Sequence, residues 1–222
     1  MTTDGIDSPT DSEMAILSLV HERAIREVLH FTTNLGLIGI LAKGSVLSRR
    51  RLPEDRYLEH IYSPNCELRK DTHWLDYVNL SISRINDWMF ETSERWHQVD
   101  NIWWATLSFN PSILADPGVT FTTTNNIYPA ARRGQGAPGL AALFEDVVLG
   151  RYSTSHTRSG HLDSWPTDRQ AEVLYPGALP LLHRLQRIYV RTGDHVDAVE
   201  GMFAGLPAIP HIPVICTPEV FA

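Results

Sequence analysis

Polar and apolar positions change rhythm several times along the chain, and each rhythm predicts an element. "DSEMAILSLVHER" offers Asp or Ser as a cap and spaces its apolar residues helically, which predicts a short amphipathic helix. "EVLHFTT" predicts a strand with His30 inside it, after which Asn34 is placed to cap a helix, "LGLIGILAKG". Gly44 stands just past that helix in the left-handed capping position. Residues 45–72 are polar and irregular. "WLDYVNLSIS" and "IWWATLSF" predict strands on their β-branched and aromatic content, and "VTFTTTN" a shorter one. "GLAALFEDVVLG" has helical period and ends on glycine; "QAEVLYP" and "LQRIYVR" predict two strands, "DHVDAVEGMFAG" a helix and "HIPVIC" a last strand. About six short strands and a few helices without regular alternation fit an α+β fold better than a parallel α/β sheet.

One stretch breaks its own pattern. A polar segment carrying His156, Arg158, His161, Trp165 and Arg169 leads into the apolar "QAEVLYP", which contains a carboxylate, Glu172. Period-two geometry places Gln170 and Glu172 on one face of that strand. An unpaired buried carboxylate costs several kcal/mol or shifts its pKa, so an amide and an acid together at a strand start point to a pocket.

Length and composition narrow the classes. A chain of 222 residues with 43% hydrophobic content suits one core. Residues 1–12 read as a flexible tail and 13–222 as one domain. "MTTDGIDSPTDSE" has neither the basic start nor the apolar centre of a targeting peptide, and no apolar run reaches the length of a membrane span. Cys66 and Cys216 are too few and too far apart for a disulfide framework or a zinc site. A reduced, metal-free cytoplasmic protein is expected. The net charge of −7 argues against a protein that coats nucleic acid. Arg49, Arg50, Arg51 and Arg56, with Arg132 and Arg133, form either a local basic rim or a set of solvated surface cations.

Several motifs fall away on physical grounds. Gly134, Gly136 and Gly139 match G-x-G-x-x-G, but that fingerprint needs a strand before it and a helix opening within it. "NNIYPAA" is no clear strand and Pro138 interrupts the turn, so the stretch reads as a flexible glycine loop. The histidines lack zinc spacing, and no G-x-S-x-G elbow is present. What remains is a set of polar residues on apolar strands: His30 with Thr32, then Ser81 with Ser83, then Gln170 with Glu172. Each alone has a plain structural reading, and a strand histidine is more often a satisfied core residue than a ligand contact.

Their order along the chain resembles the ADP-ribosyltransferase superfamily, and "LHFTTNLGLIGILAKG", "DYVNLSISRINDWMF" and "SWPTDRQAEVLYPG" resemble the DarT family of DNA ADP-ribosyltransferase toxins. With "FTTTNN" the likeness spans most of residues 27–192. It implies a single domain around a split, mainly antiparallel sheet with peripheral helices. It also implies NAD as donor, with His30, Thr32, Asn34, Ser81 and Ser83 binding it. Glu172 matches the catalytic glutamate, and Arg69 is the best match for the second catalytic residue, the arginine that lies against the NAD phosphates and helps activate the target, with Arg49, Arg50 or Arg51 as alternatives. Gln170, Arg158, His161, Trp165 and Arg169 would meet the acceptor, a guanine or thymine of single-stranded DNA, with a lean toward guanine. Arg84 in "SISRIN" departs from the family's "SISFPN". A monomer with a cognate antitoxin that hydrolyses the modification is implied. The alternatives are transfer to RNA, protein or water, or a degenerate module that binds NAD or nucleic acid without reaction.

Overall fold

Residues 9–52, 72–97, 101–206 and 210–221 are described by a computed structural model of the chain. In chain order its strands are β1 (Val28–Thr33), β2 (Ser45–Leu47), β3 (Tyr77–Ile82), β4 (Trp104–Phe109), β5 (Thr120–Thr122) and β6 (Arg133–Gln135). These are followed by β7 (Val147–Leu149), β8 (Ser155–Thr157), β9 (Glu172–Pro176), β10 (Ala178–Pro180), β11 (Leu185–Val190) and β12 (Val214–Cys216). The helices are α1 (Asp11–Glu22), α2 (Asn34–Lys43), α3 (Asp87–Trp96), α4 (Gly136–Ala142) and α5 (Gly193–Gly205). Eight strands form one sheet in the order β12-β11-β4-β1-β3-β9-β5-β6, antiparallel throughout except between β11 and β12. The fold is α+β, and the sheet is split. β1 pairs with β4 along its whole length, but with β3 only at Val28–Ile82 and Leu29–Ser81.

Strand alternation sorts the apolar side chains onto two faces. Val28, Leu80, Ile82, Leu107 and Ile188 meet Ile16 and Val20 of α1, Leu37 and Leu41 of α2, Leu140 of α4 and Phe203 of α5. Leu29, Trp104 and Tyr189 meet Phe90 of α3 and Phe221 on the other face. There Phe90 packs edge-on against Phe31 and Trp104, each at 5.3 Å between centroids.

Local chemistry sets the ends of the elements. Thr33 caps α2, accepting from the Gly36 N–H at 3.2 Å, and Gly44 closes it at φ 66°. The expected cap, Asn34, is instead the first residue of α2, and its side chain crosses to the approach of β4. Its Nδ2 donates to the Asn101 carbonyl at 3.0 Å and its Oδ1 accepts from the Trp103 N–H. The glycine-rich stretch is not a loose loop. Gly134 lies in β6, Gly136 opens α4 at φ 66°, and Pro138 sits in the first turn of that helix, where a missing N–H costs nothing. A Cβ on Gly139 would lie 2.4 Å from the Gly134 carbonyl, so the two glycines let strand and helix backbones touch. The unit is still no dinucleotide fold, since β6 is an antiparallel edge strand. The helix expected through "GLAALFEDVVLG" stops at Ala142. Val147–Leu149 turns back on β8 as a hairpin, in line with the strand preference of its two β-branched valines.

Candidate active site at the split of the sheet

Where β1 parts from β3, His30 is the first residue with a partner on one side only. Its ring bridges the seam, with Nδ1 3.0 Å from the Asn79 carbonyl. A carbonyl only accepts, so Nδ1 carries the proton and Nε2 is left with a lone pair. Burial pushes the His30 pKa down, against a smaller upward pull from that carbonyl. The ring is therefore neutral near pH 7. Thr32, two residues on, is buried.

Across β3 the ladder leads to the carboxylate. Asn79 pairs with Leu174 and Leu80 with Val173, so one further step brings Ser81 beside Glu172. Two strand spacings, about 10 Å, separate β1 from β9. Glu172 is only 8% exposed, and its Oε2 accepts from the Asn126 N–H at 2.9 Å. Ser83 lies just past β3 at φ 61°, its hydroxyl buried with no partner among the described residues.

Asn126 belongs to the polar run Thr122–Asn126, which folds on itself. The Thr122 hydroxyl donates to the Thr124 carbonyl at 2.9 Å, and Asn125 Oδ1 accepts from the Ile127 N–H at 3.1 Å. Arg133 then grips Asn126 on both sides, with Nε donating to Oδ1 at 2.5 Å and Nη2 to the backbone carbonyl. That grip fixes the N–H aimed at Glu172. The Asn126 side-chain NH2 and the Thr124 hydroxyl are buried and have no partner among the described residues. Buried polar groups are nearly always paired in native proteins, so these two are exceptions within the run that holds Glu172.

Gln170 is not on the strand. It sits in the turn before β9, its N–H held by Asp168 Oδ1 at 2.9 Å. The Tyr128 hydroxyl donates to Gln170 Oε1 at 2.9 Å. Burial raises the Tyr128 pKa, so the phenol keeps its proton and the Gln170 amide is oriented with its NH2 left to donate. Asp168 itself is fully buried, with His156 Nε2 3.7 Å from its Oδ2.

The remaining acceptor-side residues divide into scaffold and rim. Arg158 donates to the carbonyls of Trp165, Leu162 and Asp163 at 2.7, 3.1 and 2.9 Å, tying the loop together from within. Trp165 lies under Arg84, whose guanidinium is 4.6 Å from its ring centre. Arg169 pairs with Asp87 at 2.7 Å. Arg84, His156, His161 and Arg169, with Ser155 and Thr157, line a polar cavity of about 280 Å3. The basic rim is largely spent on structure: Arg132 pairs with Glu145, and Arg51 pairs with Asp76 at 2.9 Å. Arg69, Arg56 and Cys66 lie outside the described residues. Among the described residues no cluster of three or more His, Cys, Asp or Glu could hold a metal ion, and no helix is long and apolar enough to cross a membrane.

Residue patterning gave Asn126 and Tyr128 no role and read Arg133 only as part of a basic rim. The available signal was the run of Thr and Asn directly after a strand, the composition of side-chain-capped turns.

A family model described as the ssDNA thymidine ADP-ribosyltransferase DarT matches residues 29–222. The chain belongs to the DarT family. Solved structures carry the same fold. The chain is 17% identical to Thermus sp. 2.9 DarT in complex with ADP-ribosylated ssDNA, with a TM-score of 0.63 over 90% of this chain and 97% of that one. It is 15% identical to Thermus sp. 2.9 DarT in complex with carba-NAD+, with a TM-score of 0.62 over 89% and 98%. Thermosipho africanus DarTG in complex with ADP-ribose is 14% identical, with a TM-score of 0.52 over 88% of this chain and 51% of that one. No curated protein matches the chain.

Proposed function

We propose that this DarT-family chain transfers ADP-ribose from NAD to a base of single-stranded DNA, with Glu172 as the catalytic carboxylate. The observation that carries the reading is the placement of Glu172, which is nearly buried, held by the Asn126 N–H and one strand from the seam that His30 bridges. The bond between nicotinamide and ribose breaks, nicotinamide leaves as a neutral molecule, and positive charge develops at the ribose. A fixed carboxylate in a poorly hydrated site stabilises that charge, which the ground state does not carry at the sugar carbon. A bond from the base to that carbon then forms and the base gives up a proton.

His30 would accept a hydroxyl hydrogen bond through Nε2, while Thr32, Asn34, Ser81 and Ser83 complete the donor side. Arg69 remains the assignment by resemblance for the arginine at the phosphates; Arg51, held by Asp76, is the less suited alternative. On the acceptor side the Gln170 NH2 would donate to a base carbonyl, and the cavity lined by Arg84, His156, His161 and Arg169 suits an acceptor phosphate. The family description names thymidine, the base away from which the motif resemblance leaned. Thymine offers such carbonyls on either side of its ring N–H.

The reading extends to a cytoplasmic, monomeric toxin whose cognate antitoxin removes the modification. The test is incubation of the protein with labelled NAD and separate pools of single-stranded DNA, duplex DNA, RNA and protein, followed by nucleoside mass spectrometry. Label on thymidine from single-stranded DNA is expected. Label confined to protein or RNA overturns the assignment.

A further inference from the structure

Three exposed side chains near Gln170 have no part in the reaction described so far. Tyr152 is 85% exposed and Trp88 40%. Arg151 lies between them, its guanidinium carbon 4.7 Å from the Tyr152 ring centre and 5.9 Å from that of Trp88. Arg151 Nη2 also donates to the Tyr152 hydroxyl at 3.1 Å. Tyr152 belongs to the short turn between β7 and β8 and is held at φ 54°, followed by Ser153 at φ 58°. Residues other than glycine seldom adopt that conformation, and here it presents a large flat ring to solvent.

The position of the group indicates its occupant. Arg151 and Tyr152 lie within electrostatic reach of the Tyr128 hydroxyl that orients Gln170. Trp88 follows Asp87, the residue that holds Arg169 next to Gln170. The two rings and the cation between them thus stand on two elements, α3 and the β7–β8 turn, each linked through one residue to the neighbours of the acceptor-reading amide. We propose that Trp88, Arg151 and Tyr152 form a stacking platform for the unpaired bases of the acceptor strand that flank the target base. The proposal rests on the DNA-acceptor reading above. Aromatic faces and a guanidinium bind unpaired bases with little regard to sequence. Stacking also lets a chain of net charge −7 hold a polyanion without a broad basic surface.

The test measures transfer to a single-stranded oligonucleotide carrying one target base, with KM for DNA and for NAD determined separately. Tyr152→Ala and Trp88→Ala should each raise KM for DNA roughly ten-fold, in line with the loss of one base–aromatic stack, while KM for NAD holds. Tyr152→Phe should keep wild-type KM, whereas Tyr152→Leu, with bulk but no ring, should not. An abasic residue beside the target should weaken the wild type by a similar factor and weaken Tyr152→Ala no further. Unchanged KM for DNA in both alanine variants, or recovery by leucine, overturns the platform and leaves the transferase reading intact. A wild type that labels RNA or protein and not DNA overturns both.

Discussion

The donor side and the acceptor side of this molecule are built from different materials. Around the seam, His30, Ser81 and Glu172 stand on strands whose neighbours are apolar and buried, and their positions follow from ladder registers. Around Gln170 the structure is turns, a hairpin and a loop tied by Arg158, and its rim is held by cation–aromatic and ion pairs. A group that stabilises a short-lived cation must not move, and a strand inside a sheet supplies that rigidity. A surface that accepts a flexible strand tolerates looser construction.

The contrast predicts the steepest loss at Glu172. Glu172→Gln retains an oxygen for the Asn126 N–H and removes only the charge. Transfer to DNA and hydrolysis of NAD without DNA should both fall by roughly 10²- to 10³-fold, the usual effect of deleting one preorganised electrostatic group. Single-turnover assays at saturating NAD measure it, with the thermal midpoint as the folding control. An acceptor-only defect would invalidate the division of the site.

Arg133 tests whether the donor side depends on positioning. Arg133→Lys keeps a cation but loses the fork that holds Asn126 Oδ1 and its carbonyl. Small displacements of a catalytic group can cost up to about a hundred-fold, and a fall of roughly ten-fold or more in kcat is expected, with KM for NAD changing less. Equal wild-type and lysine rates would mean that the Asn126 N–H needs no such clamp.

These two regions also differed in how far they could be read from the chain. The strands carrying His30, Ser81 and Glu172 were legible because their β-branched and apolar runs are long enough to show a period, and Gly44 closed its helix where expected. Shorter elements were not. β2 and β10, three residues each, exist because they pair with one another, and no local preference announces them. α3 escaped because a polar segment, "DWMFETSERW", hides a single fully buried ring, Phe90. Gln170 was assigned to a strand because alternation was extended two residues too far; the Asp168 side chain caps a turn there instead. Tyr128 and Arg133 act on partners 42 and 7 residues away, and the longer of these separations has no signature in a single sequence.

A gentler probe of the acceptor side is Tyr128→Phe, which deletes the donor that orients the Gln170 amide and keeps the ring. A neutral hydrogen bond is worth about 0.5–1.5 kcal/mol net, so kcat/KM for DNA should fall by roughly two- to ten-fold. NAD hydrolysis in the absence of DNA should change less. A larger effect on hydrolysis than on transfer would place the tyrosine on the donor side.

The smallest effect is expected from acid, and its sign is fixed by His30. The folded protein lowers this pKa below the ordinary value of 6.5 because burial disfavours the imidazolium. The unfolded chain therefore takes up the proton first. The stability tied to the neutral ring is complete above the unfolded value and is lost as pH falls from there through the folded value. Protonation also removes the Nε2 lone pair proposed to meet the donor ribose. KM for NAD should rise as pH falls through the folded value, measured with DNA saturating, while KM for DNA stays level. His30→Gln, which keeps a hydrogen-bonding side chain but has no titratable ring, should flatten that profile. A profile equally steep in His30→Gln would assign the acid sensitivity to another group.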